Sequence, residues 1–207
     1  MEKGIFIVVE GIDGAGKKTQ CELLCERLQK EGCKSILTEE PTNGEIGKLI
    51  REYLKKDDLS PETLALLFAA DRREHVKFIE SSLSKNSTVI SERYLFSSLA
   101  YQSSQGVDEK WIWEINKFAP LPDFVILLDL SPEIALERVR NSRDKREYFE
   151  TLEFLQEVRK KYLEIFKKEN PKLRGMKFFV VNAERPSDVI SEEIWENLKR
   201  WLNLGTP

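Results

Sequence analysis

The sequence predicts an α/β fold: a five-stranded parallel sheet flanked by helices. Three observations point to it. Short apolar runs alternate with longer stretches of helical periodicity along the whole chain. The first apolar run, Ile5-Phe6-Ile7-Val8-Val9, lacks polar alternation, as a strand buried on both faces requires. That run leads directly into Gly11, Gly14 and Gly16, then Lys17 and a helix-forming stretch.

The elements follow in order. The first strand is read over Gly4 to Val9. A helix runs from Lys17 to about Glu31, where Gly32 ends it. Ser35 to Thr38 reads as a second strand, and Glu39 to Gly44 as a loop by composition. Ile46, Leu49, Ile50, Tyr53 and Leu54 form one apolar helix face. Ser60-Pro61 opens the next helix, with serine as cap and proline in the first turn, running to about Ser84. Ser87 to Ser91 is a short third strand, followed by helices over Phe96 to Ser104 and Glu109 to Phe118. Asp123 to Leu130 is the clearest later strand, and Ser131-Pro132 starts the helix after it. The segment from Asn141 to Tyr148 is charged and poor in apolar residues. Thr151 to Lys168 reads as helix, Lys177 to Val181 as a fifth strand, and Ser187 to Leu202 as a closing helix. No repeat or low-complexity linker divides the 207 residues, so the expectation is a single domain over 1–207 with a short lid at about 141–149.

Composition narrows the function. Hydrophobic residues make up 41% and charged residues 33%, in keeping with a globular chain. A net charge of −3 gives no general attraction to nucleic acid polymers or anionic membranes. No apolar run reaches membrane-spanning length, and the N-terminal run is too short for a secretory signal, so a cytoplasmic location is expected. Cys21 and Cys25 share a helical face with Leu24 and Leu28, which places them in the core rather than around a metal.

The chemistry starts at the glycines. Gly11-Ile12-Asp13-Gly14-Ala15-Gly16-Lys17 fits G-x-x-x-x-G-K, the phosphate-binding loop. Glycines let successive N–H groups turn inward, the helix start favours an anion, and Lys17 reaches the outer phosphates. The next position should be a hydroxyl that holds magnesium, but it is Lys18, with Thr19 one place late. In a parallel sheet, ligands lie beyond the carboxyl ends of strands. Those ends carry the phosphate loop, Glu39 to Pro41, Glu92-Arg93-Tyr94 and Asn182-Ala183. Arg72 lies one helical turn from Phe68, on the same face.

Several ordered motifs together resemble the thymidylate kinases, which are P-loop nucleoside-monophosphate kinases. They are FIVVEGIDGAGKKTQ, EEPTNGEIGKLI, LLFAADRREHV, SERYLFSSLAYQ, LPDFVILLDLS, the arginine-bearing segment and VVNAERPSDV. The resemblance spans almost the whole chain. It implies phosphoryl transfer from ATP, with Mg2+, to dTMP, and a homodimer. It implies that Gly11 to Thr19, with Arg143 and Asn182, hold ATP. It also implies that Asp13 faces the sugar hydroxyl of dTMP and Phe68 stacks on thymine. Arg72 holds the base or phosphate end, and Leu54, Ser97, Ser98, Tyr101 and Gln102 complete the acceptor side. Lys17, Arg93 and a lid arginine are implied as catalytic. Because Gly14 follows Asp13, the loop brings no arginine, so the lid supplies it: Arg146 aligns best and Arg143 second.

Two positions depart from the family pattern. Lys18 replaces the hydroxyl, and Glu92 replaces the usual aspartate before Arg93. Glu92 is then the expected metal contact, through water. A direct Lys18–Glu92 charge pair would link the two changes; the alternative is that Lys18 turns to solvent while Glu92 meets the metal through water. The alternatives left open are a kinase for another (deoxy)nucleoside monophosphate, and a nucleotide-binding regulatory protein with weakened catalysis.

Overall fold

The computed structural model describes residues 4–56, 59–141, 151–167, 171–173 and 175–202. Its sheet is built around β1 (Phe6–Glu10), which is buried at every position. β1 pairs in parallel with β3 (Thr88–Glu92) on one side and β4 (Phe124–Asp129) on the other. β2 (Ser35–Glu39) and β5 (Lys177–Asn182) form the edges, giving the order β2-β3-β1-β4-β5. Every pairing is parallel, so each connection must cross over, and helices supply the crossovers. The order places the carboxyl end of β1 between strands reached in opposite directions from it, the switch point at which open α/β sheets bind ligands.

The helices are α1 (Lys17–Lys30), α2 (Glu45–Lys56), α3 (Pro61–Ser84), α4 (Leu95–Ser104), α5 (Glu109–Ile115), α6 (Pro132–Asn141), α7 (Leu152–Ile165) and α8 (Ser187–Leu202). α1 packs on α8, whereas α4 packs on α3, α5 and α7. One apolar cluster runs from Phe6–Val9 of β1 through Val125–Leu128 of β4 to Leu24 and Leu28 of α1 and Ile194 and Leu198 of α8. Cys21 and Cys25 are buried in it as free thiols, at the core positions expected from their spacing.

Local chemistry sets the ends of these elements. Ser60 Oγ accepts from Thr63 N at 3.2 Å, and proline follows at the first helical position of α3. Thr151 Oγ1 accepts from Phe154 N at 3.2 Å and so starts α7. At the end of α1, Gly32 takes φ 79°, and Cys33 N reaches back to Leu28 O at 2.9 Å in a Schellman-type stop.

Most element boundaries differ from the expectation by one to three residues, and α7 ends at Ile165 rather than Lys168; three of the differences have a plain local cause. β1 extends to Glu10 because its backbone is still paired with Leu127 of β4. β2 extends to Glu39, paired with Glu92 of β3. α5 stops at Ile115 rather than Phe118, because Asn116 turns its amide back onto Ile112 O at 2.8 Å.

Candidate active site

The phosphate loop leaves β1 through backbone conformations that side chains rarely adopt. Gly11 has φ 146° and Gly14 φ 82°. A Cβ on Gly11 would sit 2.7 Å from Leu128 O, and one on Gly14 would sit 2.7 Å from Ala135 O. The loop is therefore pressed against β4 and α6, and only glycine fits. Gly16 is the left-handed N-cap of α1 and contributes no side-chain cap; the first turn of the helix has no acidic residue. Its first N–H groups are thus left for an anionic ligand.

Lys17 is buried at the start of α1. Its Nζ donates to Ile12 O at 2.9 Å and lies 3.5 Å from Asp13 Oδ1. Burial pushes its pKa down, and the charge of Arg93 pushes the same way. Asp13 shows the reverse balance: burial favours the neutral acid, but Arg93 and Lys17 outweigh it and hold the carboxyl well below the usual range. Arg93 completes the cluster from the turn after β3. Its guanidinium donates to Asp13 Oδ1, to Ser97 Oγ at 3.0 Å and to Tyr101 Oη at 3.4 Å, and sits 5.1 Å over the Tyr101 ring. Burial opposes its charge, but Tyr101, Asp13 and Tyr162 hold it protonated.

The backbone places Arg93 by strain. It has φ 66°, one of two non-glycine residues with positive φ among the described residues. A conformation of that kind costs about 1–3 kcal/mol and persists where the surroundings over-determine it. Here Arg93 N is tied to Val9 O at 3.0 Å, which fixes the turn against β1.

Lys17, Asp13, Arg93, Ser97 and Tyr101 are therefore joined into one cluster. The remaining expected acceptor residues are arranged differently. Arg72 is 1% exposed. It donates to Glu40 Oε2 at 2.9 Å, Asn116 Oδ1 at 2.5 Å and Ser98 Oγ at 3.1 Å, and lies 5.4 Å over the Tyr94 ring. Glu40 in turn meets His75 Nδ1 at 3.0 Å. Arg72 is thus held by protein groups on several sides, deeper than a simple contact residue needs to be. Ser98 and Gln102 are buried on α4, and Gln102 Oε1 has no hydrogen-bond partner. Phe68 on α3 and Leu54 on α2 are half-buried on helices that pack together. Asn182, at the end of β5, is exposed and accepts from Glu184 N at 2.9 Å. Arg143 and Arg146 lie outside the described residues, as does nearly all of the expected lid.

A family model described as thymidylate kinase matches residues 9–194. The chain belongs to the thymidylate kinase family. Relatives named "Probable thymidylate kinase" extend the match over nearly the whole length. One from Methanococcus maripaludis is 46% identical over 191 residues, covering 91% of this chain and 92% of the relative. One from Sulfolobus acidocaldarius is 44% identical over 203 residues, covering 96% and 99%. One from Pyrococcus abyssi is 43% identical over 210 residues, covering 97% and 98%. Membership makes this chain an ATP-dependent phosphotransferase.

Against that family pattern, the expected Lys18–Glu92 charge pair is absent. Lys18 is exposed on the first turn of α1, and no ion pair within 4.0 Å joins it to Glu92. The reason is helical direction: Lys17 takes the inward position after Gly16, so its neighbour turns outward. Thr19 is exposed as well. Glu92 remains half-buried at the end of β3, where its charge acts on Lys17. Its side chain makes no hydrogen bond to another described residue. Among the described residues no cluster of three or more His, Cys, Asp or Glu could cage a metal. A divalent cation here would have to take most of its ligands from nucleotide oxygens and water, with Glu92 the carboxylate beside it.

Two buried groups in this chain were not singled out from sequence. Glu10 carries a signal that could have found it, a carboxylate closing a wholly apolar strand. Tyr162 carries none, since it reads as one more core position of α7.

Proposed function

We propose that this chain, as one P-loop kinase domain, transfers the γ-phosphoryl group of ATP to the 5′-phosphate of dTMP, giving ADP and dTDP. The observation that carries the proposal is the joined cluster of Lys17, Asp13 and Arg93 at the carboxyl ends of β1 and β3. Two polyanions must meet for this reaction, and two cations converge there with one carboxylate between them. An oxygen of the acceptor phosphate attacks the γ-phosphorus while the bond to the β-phosphate oxygen breaks. That acceptor oxygen is already anionic, so no general base is required.

Gly11 to Thr19 would cradle the ATP phosphates, with Lys17 on their outer oxygens. Arg93 would bridge the acceptor phosphate and the transferred group. Asp13 would take the sugar hydroxyl once its cations turn to phosphate. Phe68 would stack on thymine. Leu54, Ser97, Ser98, Tyr101 and Gln102 would line the acceptor, and the orphaned Gln102 Oε1 suits a pyrimidine N–H. Arg72 would hold the acceptor end that Ser98 shares with it. Asn182 would lie by the adenine, and Arg146, with Arg143, would add lid charge to the transferred phosphoryl. Glu92 would hold Mg2+ through water. The metal, when bound, would neutralise charge on the phosphate oxygens.

A cytoplasmic location and a homodimer belong to the same proposal. Among the described residues no helix is long and apolar enough to cross a membrane. Leu49 of α2 and Leu66 and Phe78 of α3 are exposed large apolar side chains of the kind a second copy could cover.

Mixing the protein with ATP labelled at the γ-phosphate tests the reaction. The label is expected in dTDP, one for each ADP formed, and only when dTMP is present. Label released as inorganic phosphate regardless of dTMP would overturn it.

A further inference from the structure

Glu10 has no assigned part in holding ATP or dTMP, yet it is wholly buried at the end of β1, one residue before the phosphate loop. A buried carboxylate is tolerated only when its oxygens are satisfied. Here they accept four hydrogen bonds. Oε1 accepts from Tyr94 N at 2.9 Å and Ser97 N at 3.2 Å. Oε2 accepts from Ser97 Oγ at 2.7 Å and Tyr162 Oη at 2.9 Å. Tyr94 is the N-cap of α4 and makes no side-chain cap. Glu10 therefore caps α4 from a neighbouring strand, satisfying N–H groups the helix cannot satisfy itself.

The two hydroxyl contacts do something a cap does not need. A serine hydroxyl has one proton and free lone pairs. Ser97 donates that proton to Glu10 and so turns its lone pairs toward Arg93, whose Nη1 donates to it at 3.0 Å. Tyr162 donates its own proton to the same carboxylate oxygen, with its oxygen 3.0 Å from Ser97 Oγ. The Tyr162 ring also meets the Tyr101 ring edge-on at 6.4 Å, and the Tyr101 ring underlies the Arg93 guanidinium. α7 therefore reaches the neighbours of Arg93 by two routes, one polar and one aromatic. It is also the helix that follows the arginine-bearing segment in the sequence.

We propose that Glu10 and Tyr162 are positioning residues that set the direction of the Arg93 guanidinium through the Ser97 hydroxyl. The seating of α7 then governs turnover rather than substrate affinity. The inference rests on Arg93 touching the reacting phosphates.

A double-mutant cycle tests it. Tyr162→Phe removes one hydroxyl and keeps the ring. It is expected to lower kcat by about ten- to a hundredfold, as misplacement of a reacting group does, while KM for ATP and for dTMP stays within about twofold. In an Arg93→Ala background, followed by single turnover with enzyme in excess, the same substitution is expected to cause no further loss. Glu10→Gln, which replaces one acceptor oxygen by a donor, is expected to show the same pattern and serves if Tyr162→Phe does not fold. A kcat within twofold of wild type, or a loss that multiplies with that of Arg93→Ala, would overturn the positioning role. An Arg93→Ala enzyme with wild-type kcat would instead overturn the role of Arg93 and the inference with it.

Discussion

Arg93→Ala lowers kcat by about a thousandfold or more, the loss expected when an arginine that steadies the transferring phosphoryl is removed. The structure gives three reasons for an effect of this size. Arg93 occupies a positive-φ turn that places its side chain at the junction of β1 and β3. It shares Asp13 with Lys17, so its loss leaves one cation where two converge. It is held by Ser97 and Tyr101, so the guanidinium is directed before substrate arrives. The measurement is steady-state kinetics with both substrates saturating, alongside circular dichroism to establish that the fold survives. A drop of less than about tenfold, against losses of this class, would remove Arg93 from the transition state.

Arg72→Ala produces the other large change, and it appears first in stability. Arg72 and Glu40 form an ion pair at 2.7 Å in which neither side chain exceeds 3% exposure. Removing the cation leaves Glu40 buried and uncompensated apart from His75, a defect that costs about 3–5 kcal/mol. For a chain of this size the melting temperature falls by roughly 10 °C. KM for dTMP rises as well, because Ser98 loses the partner that orients it. A second variant separates the two effects. Arg72→Met with Glu40→Gln removes both charges and recovers most of the melting temperature without recovering the KM. An Arg72→Ala protein that melts like wild type would show that the buried pair contributes little to stability.

The sheet and the phosphate loop were legible because their signals are local. A strand buried on both faces must be continuously apolar, and a loop that wraps phosphate must carry glycine where a Cβ would strike β4 or α6. The depth of Arg72 was not legible. Its spacing from Phe68 puts both on one helix face, but burial depends on Glu40, Ser98 and Asn116, which come from three other parts of the chain. The expected Lys18–Glu92 pair failed for a related reason. Both residues lie at strand or helix ends near the loop, but Lys17 already takes the inward direction and leaves Lys18 in solvent. Glu10 was visible as an anomaly in an apolar run, whereas its partners Ser97 and Tyr162 lie 87 and 152 residues away in sequence. Contacts that long are set by tertiary packing and leave no local pattern.

The most direct test of the central claim is acceptor choice. The measurement is kcat/KM for dTMP, dUMP, AMP and GMP at saturating ATP and magnesium. A stacked pyrimidine site that accommodates the thymine methyl predicts dTMP above dUMP by no more than about 10–200-fold, the range one such group provides. It predicts AMP and GMP far below both. Purine monophosphates phosphorylated as efficiently as dTMP would contradict the assignment of Phe68, Arg72 and Gln102 to a thymidylate site.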